Sequence, residues 1–287
     1  MNATAWIPTQ TLTQPDTHTW PLPAYSCDWV CEPSPLEKAA EHFDTITLEE
    51  MDAVALLNRT DTKFLMSAGQ MLSLLPTLRS DYFMLSLPGH RLNRYRTLYF
   101  DTPAFDLYNL HVNGHGERYK VRSREYLDSS QSFLEVKHKT RKGRTIKARV
   151  QTAQPMVAMP PHTFNWLQDI FPYHPRELEP KLMNTFTRIT LVNHAACERV
   201  TLDVDIAFYT TAASVRLEGI AIAEVKRDAL NCRSPFLEQM RLRRIHPYSF
   251  SKYCAGVAML YEQVKKNYMK PRLLRIGKIM RGTHLYE

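Results

Sequence analysis

A chain of 287 residues with 44% hydrophobic content can bury one large core or two small ones, so length leaves the domain count open. The formal charge is +8, but the segment from Val264 on holds seven Lys or Arg against one Glu; the rest is almost neutral, which excludes a general basic coat for nucleic acid. The start, MNATAWIPTQTLTQPDTHTW, has neither a basic end nor an apolar stretch, and no window reaches the run of ~18 uncharged apolar residues that a membrane span needs. Cys27, Cys31, Cys197, Cys232 and Cys254 lack zinc or disulfide spacing, so the chain reads as soluble and cytoplasmic.

Residues 1–37, rich in Pro, Thr and Trp without periodicity, read as a flexible extension; 38–264 form the folded domain and 265–287 a basic tail. Cys27 and Cys31, with three residues between them, have no partner ligands at metal spacing. The domain opens on a helix in TLEEMDAVALL, with Thr47 as N-cap and Glu50 completing a capping box. Eight strands follow by alternation and by β-branched and aromatic content: 62–67, 95–101, 117–126, 132–139, 144–150, 184–192, 199–206 and 218–227. Helical patterns sit between or after them in AGQMLSLLPTL, HTFNWLQDIF, PFLEQMRL and SKYCAGVAMLYEQVKK. The pattern is α+β, and eight antiparallel strands can close into a β-barrel around one small ligand, with the helices flanking it.

Residues two apart on a strand share a face. One face collects Lys120, Arg122 and Arg124, then Glu135, Lys137 and Lys139, then Lys147 and Arg149, then Arg188, then Arg199, Thr201, Asp203 and Asp205, and finally Glu224 and Lys226. A sheet with one solvated face alternates in the same way. Strands three to six nevertheless present Lys and Arg with Glu135 as the exception, and the flanking helices need the other face as core, which favours a cationic interior. Arg grips phosphate oxygens in pairs and Lys supplies point charges, so such an interior suits a linear chain of phosphates, with a carboxylate such as Glu224 for a divalent cation. Basic faces without interleaved aromatics argue against nucleic acid.

In order along the chain, NRTDTKFLMS, YRTLYFDTPAFDLYN, RYKVRSREY, FLEVKHKT, RTIKARV, FTRITL, RVTLDVDI, AIAEVKRD and FSKYCAG resemble the VTC domain, the polyphosphate polymerase branch of the triphosphate tunnel metalloenzymes related to CYTH proteins. The resemblance runs from about residue 42 to 262 and implies an eight-stranded tunnel that moves the γ-phosphate of ATP onto polyphosphate with Mn2+ or Mg2+. By motif position it implies Lys63, Arg122, Arg124, Lys137, Lys147, Arg188, Arg199 and Lys252 as the catalytic cage, and Glu224 as the metal ligand. Lys120, Lys139, Lys226, Ser251 and His111 would be further substrate contacts, with His111 where many relatives carry a cation; Glu135 and Asp203 would either bind metal or neutralise and orient a neighbouring Lys or Arg. Phe64 replaces a common Tyr. ATP and polyphosphate are thus the expected partners. The alternatives are a metal-dependent triphosphate hydrolase and a non-catalytic polyphosphate-binding module. The tail KKNYMKPRLLRIGKIMRG reads either as a solvated helix end or as a segment lying on an anionic membrane surface or a membrane protein partner.

Overall fold

The structure, a computed structural model, describes residues 10–11, 20, 33–52, 59–87, 89–228 and 233–283. Most of the N-terminal extension, including Cys27 and Cys31, lies outside the described residues. One sheet holds twelve strands: β1 (Gln10–Thr11), β2 (Thr45–Ile46), β3 (Arg59–Ser67), β4 (Phe83–Leu85), β5 (Asn93–Asp101), β6 (Arg118–Tyr126), β7 (Gln131–Lys139), β8 (Thr145–Thr152), β9 (Glu179–Asn193), β10 (Glu198–Tyr209), β11 (Ala213–Arg216) and β12 (Ile220–Asp228). All eight expected strands are present, and they lie side by side, each antiparallel to the next, in the order β3-β12-β10-β9-β5-β6-β7-β8.

The expected closed barrel is instead a curved, open sheet, because among the described residues no ladder joins β3 to β8. The free edge of β3 is taken by the chain entering the last helices: Phe64 bridges Pro247, and the Tyr248 N–H donates to the Lys63 carbonyl at 2.7 Å. The outer edge, β8, is exposed along most of its length.

Helices α1 (Pro35–Glu41), α2 (Leu48–Asp52), α3 (Ala68–Leu74), α4 (Asp106–Val112), α5 (Phe164–Gln168), α6 (Pro235–Leu242), α7 (Lys252–Leu260) and α8 (Lys270–Thr283) cover the sheet. The capping box at α2 forms as the sequence predicts, Glu50 N–H donating to Thr47 Oγ1 at 3.3 Å and Thr47 N–H to Glu50 Oε2 at 2.9 Å. On the convex face Phe64, Met66, Leu191, Val200, Leu202 and Ala223 pack under α1, α3 and α6. Leu98, Val121, Leu134 and Val136 pack under Leu167 and Phe171. The concave face carries a third core at one end, where Leu65, Leu182, Phe208 and Ile222 meet Tyr253, Ala255 and Val257 of α7 and Ile276 and Met280 of α8.

Two sequence expectations change here. Within the segment from 265, set apart as a tail, Lys270–Thr283 forms α8, and Met269, Ile276 and Met280 are buried in the same core as α7. Asp205 does not share a face with Asp203: the β9–β10 register slips between Val204 and Ala207, Asp205 takes φ 51° and is exposed, and Ile206 and Phe208 turn to the concave side. Among the described residues no helix is long and apolar enough to cross a membrane.

Helix α7 lies close to the sheet because Gly256 has no side chain. A Cβ there would stand 2.5 Å from Leu182 and 2.8 Å from Phe208. Gly256→Ala is expected to destabilise the protein by about 1–3 kcal/mol, as overpacking does, and to displace the N-terminal turn of α7. Urea unfolding checks this; an unchanged midpoint would mean that the helix yields freely.

Candidate functional site

Register fixes which side chains share the concave face. Lys147, Lys137 and Lys120 stand opposite one another across β8, β7 and β6, and the next row is Arg149, Glu135, Arg122 and Tyr99. Beyond them come Arg124 and Thr97, then Arg188 with Asp203, then Thr201, Glu224 and Lys63, and last Arg199, Lys226 and Asp61. The face grouping read from alternation therefore holds, except at Asp205. Lys139 lies at the end of the row, facing Arg118 and Thr145.

Curvature brings the two ends of this face together. Lys137 on β7 feels the charges of Lys120, Lys63 and Lys147 and, with opposite sign, Glu224, although Lys63 and Glu224 lie at the far end of the sheet. The start of α7 projects into the same space. Ser251 caps the helix by accepting from the Cys254 N–H at 3.3 Å, and its hydroxyl also accepts from Lys120 Nζ at 2.8 Å. Lys63 Nζ donates to the Phe250 carbonyl at 3.2 Å.

Glu135, Asp203 and Glu224 offset part of the cationic charge. Glu135 accepts from Arg122 Nε at 2.6 Å, with Nη2 at 2.5 Å. Asp203 takes a two-point contact from Arg188, Nε at 2.6 Å and Nη2 at 2.8 Å, and an ammonium hydrogen bond from Lys252. Glu224 lies between Lys226 at 3.3 Å and Lys63 at 3.8 Å. Burial disfavours the charged form of both Asp203 and Glu224, but the adjacent cations outweigh it and hold both carboxyls far below the usual range. Asp203 is 5% exposed and fully engaged, whereas Glu224 is 21% exposed and its contacts are long.

The lysines show the reverse effect. Burial, aided by like charges from Lys120, Lys63 and Lys147, pushes Lys137 down to about 7, although its side chain is still open to solvent. Burial lowers Lys120, Lys226 and Lys252 to about 8. His111, on α4, faces the same cluster: burial and then Lys120, Arg118, Lys137 and Lys63 keep its imidazole neutral, and its buried Nδ1 has no partner among the described residues.

Asp203 is the keystone of one corner. Replacing it with Ala leaves Arg188 and Lys252 without their shared acceptor, and breaking a buried pair in this way is expected to cost about 3–5 kcal/mol. Thermal unfolding measures the loss, and added tripolyphosphate should restore more stability to D203A than to the unmodified protein. Equal ligand stabilisation of both would contradict the placement of these cations at an anion site.

The structure also brings in residues the sequence reading passed over. Tyr95 and Phe186 stack on the concave face with centroids 5.0 Å apart, and the Arg188 guanidinium stands 5.1 Å from both rings. Arg124 lies 5.7 Å from Tyr95, and Lys252 Nζ 4.2 Å from Phe186. Aromatics are thus interleaved with the cations, contrary to expectation. Strict alternation from Arg124 to Tyr126, and from Lys137 back to Phe133, was the available signal.

A divalent ion fits this donor set in one way. Among the described residues no three His, Cys, Asp or Glu side chains cluster as metal ligands. Glu224, partly exposed and loosely paired, can supply one carboxylate while phosphate oxygens supply the rest, which suffices for Mg2+.

Residues 58–261 match the VTC domain family. No curated protein matches the chain. Among solved structures the chain is similar to a proposed adenylate cyclase from Bacillus halodurans, at 13% identity over 71% of this chain and 98% of that one, TM-score 0.47. It is similar also to a proposed adenylyl cyclase from Hippeastrum described as having a dominant triphosphatase activity, at 14% identity over 68% and 93%, TM-score 0.43. An RNA triphosphatase from S. pombe is similar at 9% identity over 80% and 85%, TM-score 0.26. The family match spans most of the chain and the eight strands β3, β5 to β10 and β12 that form the concave face: the protein belongs to the VTC domain family.

Proposed function

We propose that the concave face grips a linear chain of phosphates and that the protein transfers the γ-phosphate of ATP to the end of a growing polyphosphate. The observation that carries this reading is the meeting of Lys63, Lys120 and Lys137, from three strands at both ends of the sheet, beside the N-terminal turn of α7. Cations held this close raise one another's energy, and a polyanion removes that cost. A divalent ion, Mn2+ or Mg2+, held by Glu224 supplies charge neutralisation on the phosphates when bound.

The side chains do the rest by position. Arg122 and Arg188, fixed by Glu135 and Asp203, cannot swing away and offer their remaining N–H groups to phosphate oxygens. A terminal oxygen of the acceptor chain attacks the γ-phosphorus in line, forming the new P–O bond as the bond to the β-phosphate oxygen breaks and ADP leaves. The lysines stabilise the charge on the transferring group. An acceptor that is already ionised suits a face where Asp203, Glu224 and His111 are held well below neutrality and are weak bases for activating water. This favours transfer over hydrolysis.

Incubation with γ-labelled ATP and manganese, with the products resolved on a gel, tests the proposal. A ladder of long phosphate chains supports it. Release of orthophosphate alone would make the protein a hydrolase, and tight binding without turnover a binding module.

A further inference from the structure

The aromatic row on the concave face continues past the cations to solvent. Phe186, Tyr95, Tyr126 and Phe133 follow one another across β9, β5, β6 and β7, with successive centroids 5.0, 5.0 and 5.7 Å apart. Phe186 and Tyr95 are buried, Tyr126 and Phe133 are half-buried, and Arg149 on the open edge strand β8 is exposed, its guanidinium 4.9 Å from the Phe133 ring. The row therefore opens where the sheet is not closed. The structural role of such a row is served by its buried members; half-burying two more rings at an open edge leaves apolar π surface that a flat ligand can cover.

Phe133 and Lys137 share a face on one strand, four residues apart, which at about 3.3 Å per residue separates them by roughly 13 Å, with Glu135 and its bound Arg122 between. A ligand that meets both ends must be flat and aromatic at one and polyanionic at the other. We infer that Phe133, with Tyr126 beside it and Arg149 over it, is a stacking platform for the nucleobase of a nucleoside triphosphate whose phosphates reach Lys137 and Lys120. The inference rests on the polyphosphate-binding reading above and adds a base-recognition site to it. Stacking on rings and a guanidinium tolerates any base, so the platform selects nucleotides over inorganic phosphate chains rather than one base over another.

The test compares metal-free binding of ATP and of inorganic tripolyphosphate by calorimetry, in the unmodified protein, in Phe133→Ala and in Phe133→Leu, which keeps apolar bulk but loses the π face. The expected result is an ATP affinity about tenfold lower in both variants, with tripolyphosphate affinity unchanged. If both ligands weaken together, or ATP is unaffected, the platform is overturned while the phosphate site stands. If the unmodified protein binds no tripolyphosphate, the underlying reading fails instead.

Discussion

Glu224→Gln is expected to lower metal-dependent turnover by roughly a hundredfold or more while leaving metal-free tripolyphosphate affinity the same or higher. The two effects have one cause. Of Glu135, Asp203 and Glu224, Glu224 is the one not clasped by an arginine, lying 3.3 Å from Lys226 and 3.8 Å from Lys63, so it has capacity left for a cation. Removing its charge takes away the metal's protein ligand and at the same time leaves Lys63 and Lys226 to serve the phosphates alone. Manganese-dependent turnover and calorimetry in EDTA separate the two. A variant that binds tripolyphosphate much more weakly without metal would show that Glu224 orients the lysines instead. A variant with undiminished turnover would remove it from the chemistry.

Phosphate binding is expected to take up protons near neutral pH. In the empty protein burial and like charges hold Lys137 at about 7, and burial chiefly holds Lys120 at about 8. A bound polyanion favours the ammonium form and raises both values, so above about pH 7 protons enter with the ligand and affinity falls as pH rises, by up to tenfold per unit for each lysine coupled. The ligand's own terminal phosphate loses protons on binding, which has the opposite sign, so net uptake identifies the protein groups. Calorimetry at pH 8 in two buffers of different ionisation heat counts the protons, and Lys137→Met should reduce the count. Zero uptake would contradict a crowded cationic face. The same shifts govern the empty fold: between about 7 and the ordinary lysine value of 10.5 the unfolded chain holds more protons than the folded one, so stability rises with pH across that window and is lowest below it.

The strands and most of the concave face were legible in the sequence because alternation is a local signal and β6, β7 and β10 alternate cleanly as far as Val204. Parity, however, says that residues share a face and not which face. In β5 the conspicuous cations are Arg94 and Arg96, yet they lie on the convex side, paired with Asp128 at 2.7 Å and Glu125 at 2.5 Å, while Tyr95, Thr97 and Tyr99 face inward. The bulge that ejects Asp205 has no sequence marker, since a non-glycine residue there takes a positive φ. The open seam was illegible for a different reason. Closure of a barrel depends on what occupies the last edge, and Pro247 and Tyr248, a loop in the sequence, take the edge of β3. The burial of α8 was hidden by composition: its cations point to a solvated helix end or a segment on an anionic surface, while Ile276 and Met280, one turn apart, bury the opposite face.

Whether the concave face holds phosphate with a metal at Glu224 is read from a crystal structure of the protein with tripolyphosphate and manganese. Phosphate density is expected among Lys63, Lys120, Lys137 and Arg188, with an anomalous manganese peak against the Glu224 carboxylate. Phosphate bound on the convex face or at α8, with nothing between β3 and β7, would contradict it.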